Sequence, residues 1–304
     1  MSHERPQDGV GRRTGFVVGL IGEGIAKSLT PPMHEVEAAA LGIPYEYRIL
    51  DLLQLGLSAD AVGPLLREAH AEGYAAMNIT HPCKQLVLAV VDELAADAEQ
   101  LGAANLVVFD DGRLVGHNTD WVGFRDAMVE RLPGASLDRV AQLGAGGAGA
   151  ATAYALLRLG VVDLMIADQD AGRAAELASR MASLFPAQRV VDLPRSAFDA
   201  ALADVDGVVH ATPMGMAHHP GIAFDIDLLA DRAWVADVVY RPLETELVRA
   251  ARTRGHVVLD GGRMAVGQAY TSLEIITRRR PDRTRMLEHF REMVRAEELV
   301  APDS

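Results

Sequence analysis

A single cysteine, Cys83, serves all 304 residues of this chain. That excludes an internal disulfide, and it leaves too few thiolates for a structural zinc or iron–sulfur site. Such thiol usage fits a reducing compartment, so a cytoplasmic protein is expected. Long apolar runs are also missing. None approaches the ~18 residues that a membrane span needs. The first residues, Met1 to Asp8, are polar and lack the apolar core of a signal peptide, and disorder is expected as far as Arg13. Positive charge is scarce: 29 Lys and Arg face 42 Asp and Glu, for a net charge of −13. That balance favours solubility and argues against non-specific nucleic-acid binding. The one basic cluster, Arg278-Arg279-Arg280, reads as a solvated helix end. No metal site, nucleic-acid partner or membrane partner is therefore expected.

What is present is ordinary globular material, 49% hydrophobic and 23% charged, in a chain long enough for two domains. No solenoid-type repeat is visible. Residues 16–21 read as a buried strand, 32–41 as a helix and 45–50 as a strand. Residues 53–72 read as a turn and helix, 75–79 as a strand, and 83–102 as one or two helices. A hairpin is expected across Asp110-Asp111-Gly112, because Asp-Gly favours a primed turn. This β/α alternation predicts a mainly parallel sheet. After Trp121 a helix leads to strand 139–143. Helix 147–159, strand 163–167, helix 171–184, strand 189–192 and a helix near 196–203 come next. Strands at 207–210, 234–239 and 256–259 follow, then helices at 264–278 and 283–299. With no strands left to join, these last helices should pack back onto the first domain. The expected fold class is α/β: an N-terminal domain over 14–121, a doubly wound nucleotide-binding domain over 122–261, and C-terminal helices over 262–304.

The sharpest motif is Gly144-x-Gly146-x-x-Gly149, between an apolar strand and an Ala-rich helix. Gly144 allows a tight turn, Gly146 lets backbone approach a pyrophosphate, and Gly149 lets helix and strand sit close. N–H groups at the helix start, around Gly147 and Ala148, then face the phosphates. Asp168 ends the next apolar run, 24 positions after Gly144. An acid there suits a ribose 2′-hydroxyl and repels a 2′-phosphate, which points to NAD rather than NADP.

The first half carries polar groups at strand ends. Ser28 and Thr30 could fork around a carboxylate, or Thr30 before Pro31 could simply cap a helix. Lys84, in Asn78-Ile79-Thr80-His81-Pro82-Cys83-Lys84, is read as following a strand and opening a helix. It is a candidate acid/base or a surface charge. Asp120 could orient that lysine or serve as a helix N-cap. Asn105, placed in an apolar strand, would need partners for its buried amide.

Together these segments resemble the shikimate/quinate dehydrogenase family. The matching motifs run in order: Ser-x-Thr-x-x-Met-His, Asn-Ile-Thr-x-Pro-x-Lys, Gly-Ala-x-Asn, Asn-Thr-Asp, Gly-Ala-Gly-Gly-Ala-Gly, Ala-Thr-Pro-x-Gly-Met and Asp-Gly-x-x-Met-x-x-x-Gln-Ala. The resemblance spans residues 19–290. It implies an N-terminal substrate domain, a Rossmann-type cofactor domain, and hydride transfer between a nicotinamide and a ring carbon of a cyclic hydroxy acid. It implies that Ser28 and Thr30 hold the substrate carboxylate and that Lys84 and Asp120 form the catalytic dyad. Asn78, Thr80, Asn105 and Gln268 would bind ring hydroxyls, with Tyr240 lining the cleft. Thr212, Met214, Val239, Gly261 and Met264 would border the cofactor. The three methionines Met214, Met216 and Met264 are equally readable as core packing.

Three departures carry information. Thr30 stands where the biosynthetic enzymes usually have serine, which resembles the quinate-using branch. Ala167-Asp168-Gln169-Asp170 offers acids and no base where NADP-using members show Asn-Arg-Thr, and Arg173 is too far into the following helix to clamp a phosphate. His210 replaces the usual Asn before Ala-Thr-Pro, with packing or capping of the strand end expected. The resemblance thus implies an NAD-dependent quinate/shikimate dehydrogenase, monomeric or homodimeric, acting on a small cyclic hydroxy acid. An NADP-dependent biosynthetic shikimate dehydrogenase, an aminoquinate or aminoshikimate dehydrogenase, and a non-catalytic NAD-sensing protein remain open alternatives.

Overall fold

A computed structural model describes residues 15–300; the polar N-terminus expected to be disordered lies outside them. Two six-stranded sheets organise the chain. The first holds β1 (Phe16–Gly22), β2 (Tyr45–Asp51), β3 (Ala76–Ile79), β4 (Glu93–Leu94), β5 (Leu106–Asp110) and β6 (Arg113–His117), in the order β2-β1-β3-β5-β6-β4. Helices α1 (Thr30–Ala40), α2 (Leu52–Leu55), α3 (Val62–Ala71) and α4 (Ala96–Leu101) belong to this half. Helix α5 (Asp120–Arg131) then leads to β7 (Arg139–Leu143), α6 (Gly147–Leu159), β8 (Asp163–Ala167), α7 (Ala171–Leu184), β9 (Arg189–Asp192), α8 (Arg195–Ala201), β10 (Gly207–His210), β11 (Trp234–Asp237), α9 (Glu246–Thr253) and β12 (Val258–Leu259). The chain ends in α10 (Gly261–Thr277) and α11 (Arg283–Val300).

The second sheet, β12-β11-β10-β7-β8-β9, is parallel throughout. Its order reverses between β7 and β10, and the crevice beyond their carboxyl ends is where open α/β sheets take ligands. The first sheet is parallel in three of its five pairings, and β5 runs against both β3 and β6. The two-residue hairpin between β5 and β6 has positive φ at both Asp111 (45°) and Gly112 (79°), as a type I′ turn requires.

Several local expectations need correction. Residues 53–72 form two helices separated by a 3₁₀ turn, because Gly56 takes a left-handed φ of 65° and stops α2. Residues 83–102 open as turns and a 3₁₀ segment, then supply β4 and α4, so Lys84 lies in a turn and opens no helix. Strand β11 ends at Asp237, β12 is two residues long, and α10 starts at Gly261 because Asp260 caps it through Gly262 N–H.

Both faces of each sheet are covered by apolar side chains. Tyr154, Leu156 and Phe124 cover one face of the second sheet, and Phe198, Leu202 and Leu247 the other. Leu66 and Val87 pack on one face of the first sheet, while Ile276 from α10 reaches the other. Met33 of α1, Val266 of α10 and Phe290 of α11 share a cluster, so the C-terminal helices return to the first half as expected. Helices α5 and α10 cross at glycines. A Cβ on Gly123 would lie 2.6 Å from the Met264 carbonyl oxygen, and one on Gly267 would lie 2.7 Å from Gly123 Cα. This backbone contact sets Gln268 of α10 beside the helix that begins at Asp120.

Candidate active site

Nearly all the residues singled out in the sequence sit at the carboxyl edges of the two sheets or in the loops beyond them. Lys84 Nζ lies 2.5 Å from Asp120 Oδ2, with both side chains largely shielded from solvent. Asp120 is the first residue of α5; the N-cap position is Thr119, and neither side chain caps. The carboxylate of Asp120 is instead committed to the site, since Oδ1 accepts from Asn105 Nδ2 at 2.9 Å. Asn105 precedes β5 and is buried. Its amide also bonds Thr119 through both the hydroxyl and the backbone N–H, so every polar atom that burial would otherwise orphan is satisfied. Asn118 adds a bond from its Nδ2 to Ala103 O, and Thr119 meets Ser272 of α10 at 3.1 Å. The lysine backbone is held as well, because Ala104 N–H donates to Lys84 O. Lys84 is a fixed cation on a fixed carboxylate.

Around this pair the structure supplies acceptors and donors. Asn78, at the end of β3, donates to the Tyr47 phenol at 2.8 Å, while its Oδ1 is buried without a partner. Thr80, half-buried, closes the turn that carries Lys84 through a bond from Cys83 N–H to its carbonyl. Gln268 is the half-buried polar residue in an otherwise buried stretch of α10. Tyr240, 39% exposed, lies near enough to Lys84 and Asp120 to feel both charges.

Ser28 and Thr30 stand before and at the start of α1. Thr30 caps nothing; the Ser28 hydroxyl accepts from Thr30 N–H at 3.3 Å. The loop carrying Ser28 is tied down by Asp51, a residue not singled out from sequence. Its buried carboxylate receives N–H bonds from Gly24, Ile25, Ala26 and Leu53. Burial opposes ionisation of Asp51, but the four backbone donors outweigh it and hold the carboxyl below its ordinary range. A carboxylate depressed in the folded state adds stability that is present above its unfolded pKa of about 3.9 and is lost as pH falls through the lower folded value. Thermal unfolding across pH should therefore show wild type more stable than Asp51→Asn at neutral pH. The gap should close below about pH 4.

On the second sheet, Gly144 turns the chain with φ of 115°, and a Cβ there would meet the Ala211 carbonyl oxygen at 2.4 Å. Gly149 sits against Gly144, its hypothetical Cβ 2.2 Å from the Gly144 carbonyl oxygen. Gly146 faces open space, and no side chain caps α6, so the first-turn N–H groups of Gly147 and Ala148 are left for a ligand. Gln142, another residue that sequence reasoning passed over, locks this loop from beneath by donating to Gly144 O and Gly149 O. A lone amide inside the apolar strand Val140-Ala141-Gln142-Leu143 was the available signal. The loop and an anionic dinucleotide therefore fit. Because the Gly144 carbonyl must shift, Gly149→Ala should cost about 1–3 kcal/mol of stability. It should also weaken dinucleotide binding, as thermal melts and fluorescence titration would read.

Asp168 lies beside this cradle: Oδ2 accepts Ala145 N–H at 2.7 Å and Oδ1 accepts Asp170 N–H at 2.9 Å. Arg173, in the first turn of α7, is 67% exposed and paired with the cap residue Asp170. The half-buried Thr212 and Met214 follow β10, and the buried Val239 follows β11. Gly261 presses on the Val238 and Val239 carbonyls, and Met264 sits in the core. His210, expected to pack or cap, is fully buried and bridges Asp237 Oδ1 (3.0 Å) to Thr212 Oγ1 (2.5 Å). The two halves meet at the site. Lys84 Cδ lies 3.9 Å from where Gly147 would carry a Cβ, and Arg241 bonds the Lys27 carbonyl next to Ser28.

Residues 20–107 match the family model described as "Shikimate dehydrogenase substrate binding domain". The shikimate dehydrogenase (NADP(+)) of Pseudarthrobacter chlorophenolicus is 53% identical over 290 residues, covering 95% of this chain and 99% of the relative. The quinate/shikimate dehydrogenase (NAD(+)) of Corynebacterium glutamicum is 47% identical over 276 residues, covering 90% and 98%. A solved structure of quinate dehydrogenase from Corynebacterium glutamicum in complex with NAD superposes with a TM-score of 0.87 at 46% identity, over 91% of this chain and 99% of that one.

Proposed function

The chain belongs to the shikimate/quinate dehydrogenase family, and on that footing we propose that it is an NAD-dependent quinate/shikimate dehydrogenase. The observation that carries this reading is the Lys84–Asp120 pair facing the glycine cradle, with Asp168 as the acid beside it. Residues 14–121 would bind the ring acid, residues 122–261 the dinucleotide, and residues 262–304 would brace the first half. Relatives named for either dinucleotide are similar to this chain, so the choice rests on Asp168. Its carboxylate suits a 2′-hydroxyl and repels a 2′-phosphate.

Ser28 and Thr30 hold the substrate carboxylate. Asn78, Thr80, Asn105 and Gln268 orient the ring hydroxyls, and Tyr240 lines the cleft. The glycine loop, Thr212, Met214, Val239, Gly261 and Met264 frame the dinucleotide, with Arg173 at the margin. Bound there, NAD would supply the hydride acceptor for the ring carbon that bears the reacting hydroxyl. Lys84, its own proton first released to solvent, takes the hydroxyl proton at Nζ, and Asp120 stabilises the ammonium so formed. In the reverse direction that ammonium returns the proton to the oxygen. Positioning and proton transfer are what the protein supplies. Quinate or shikimate added with NAD should raise absorbance at the NADH band. No rise with either acid would refute the proposal.

A further inference from the structure

The polar network beneath Ala211–Met216 has a direction. The Asp237 side chain is wholly buried, and a carboxylate only accepts. Val239 N–H and His210 Nδ1 each reach Oδ1 at 3.0 Å, and the Thr245 hydroxyl reaches Oδ2 at 2.7 Å. With one proton on the imidazole, that proton sits on Nδ1, which leaves Nε2 as an acceptor. Thr212 Oγ1, 2.5 Å away, must donate to it, and in turn receives Met214 N–H at 3.3 Å. Each hydroxyl and N–H proton in the chain points toward Asp237. The Thr212 hydroxyl, half-buried at the cleft, can then offer a ligand only a lone pair.

The same network braces three walls. The Val238 N–H donates to His210 O, Ala211 backbone abuts Gly144, and Val239, which Asp237 holds, abuts Gly261. We propose that His210 is a positioning residue that makes Thr212 a fixed hydrogen-bond acceptor on the nicotinamide side of the cleft, suited to the N–H donors of a carboxamide. The proposal rests on the reading above that Thr212 borders the cofactor.

Two isosteric replacements separate this role from plain packing. Glutamine places its amide near the position of Nε2 and keeps the Thr212 contact, whereas asparagine reaches only the position of Nδ1 and keeps the Asp237 contact. NADH dissociation constants, read by fluorescence titration, should stay within roughly threefold of wild type in His210→Gln. They should rise roughly 3- to 10-fold in His210→Asn and in Thr212→Val, the worth of one neutral hydrogen bond. The His210→Asn/Thr212→Val double variant should be no weaker than Thr212→Val alone. The reduced 3-acetylpyridine analogue, which lacks the carboxamide donor, should bind wild type and Thr212→Val alike. Affinity in His210→Gln equal to or below that in His210→Asn, or an additive double variant, would overturn the proposal. Should both His210 variants unfold, Thr212→Val decides, and unchanged NADH affinity there overturns it. Quinate turnover is measured separately. Its absence with the NADH ordering intact would defeat the functional reading and leave this one standing.

Discussion

Lys84→Ala should lose at least ~10²-fold in kcat while keeping near wild-type affinity for the dinucleotide. General acid–base catalysis typically contributes ~10²–10⁴-fold, and no other lysine in the described structure pairs with Asp120. The cradle is built separately, from Gly144, Gly146, Gly149 and Gln142, so NADH titration should be insensitive to the change. Folding should survive too. Asp120 would keep its Asn105 bond, and the Ala104–Lys84 backbone bond does not involve the side chain. Asp120→Asn should fall in the same direction, because the ammonium formed on Lys84 would lose its counter-charge. Wild-type turnover in Lys84→Ala, with quinate or shikimate as substrate, would remove the dyad from the mechanism.

Asp168→Asn should lower the ratio of kcat/KM for NAD over NADP by roughly 10- to 100-fold, the value of a charge-assisted hydrogen bond plus the relief of repulsion. Asparagine is the informative replacement. Alanine would also strip the acceptor from Ala145 N–H and loosen the glycine loop, whereas the amide oxygen of asparagine keeps that bond available. A lowered ratio with a thermal midpoint near wild type would assign the discrimination to the charge. An unchanged ratio would take cofactor choice away from Asp168.

Much of this architecture was legible because its signals are local. The glycine spacing, the alternation of apolar runs, and Asp111-Gly112 each dictate a backbone geometry within a few residues. From the residues alone the dyad was one reading beside a surface charge at Lys84 and an N-cap at Asp120, and the family resemblance singled it out, since the two are far apart in sequence and meet through folding. What the sequence concealed is of the same non-local kind. Asp51 looks like the end of a strand, yet it anchors the Ser28 loop through three donors some 25 residues away. His210 and Asp237 lie at the ends of adjacent strands, and parallel register puts them opposite each other. Thr30 and Asp120 both looked like caps. In each case a neighbouring polar side chain, Ser28 or Asn118, takes the local backbone N–H, which leaves the candidate residue free for the site.

The account turns most directly on one comparison: kcat/KM for quinate and for shikimate, each with NAD and with NADP, on the wild-type protein. The prediction is turnover of at least one ring acid, with NAD preferred over NADP by tenfold or more. A preference for NADP would contradict the role given to Asp168, and no turnover of either acid with either dinucleotide would contradict the function itself.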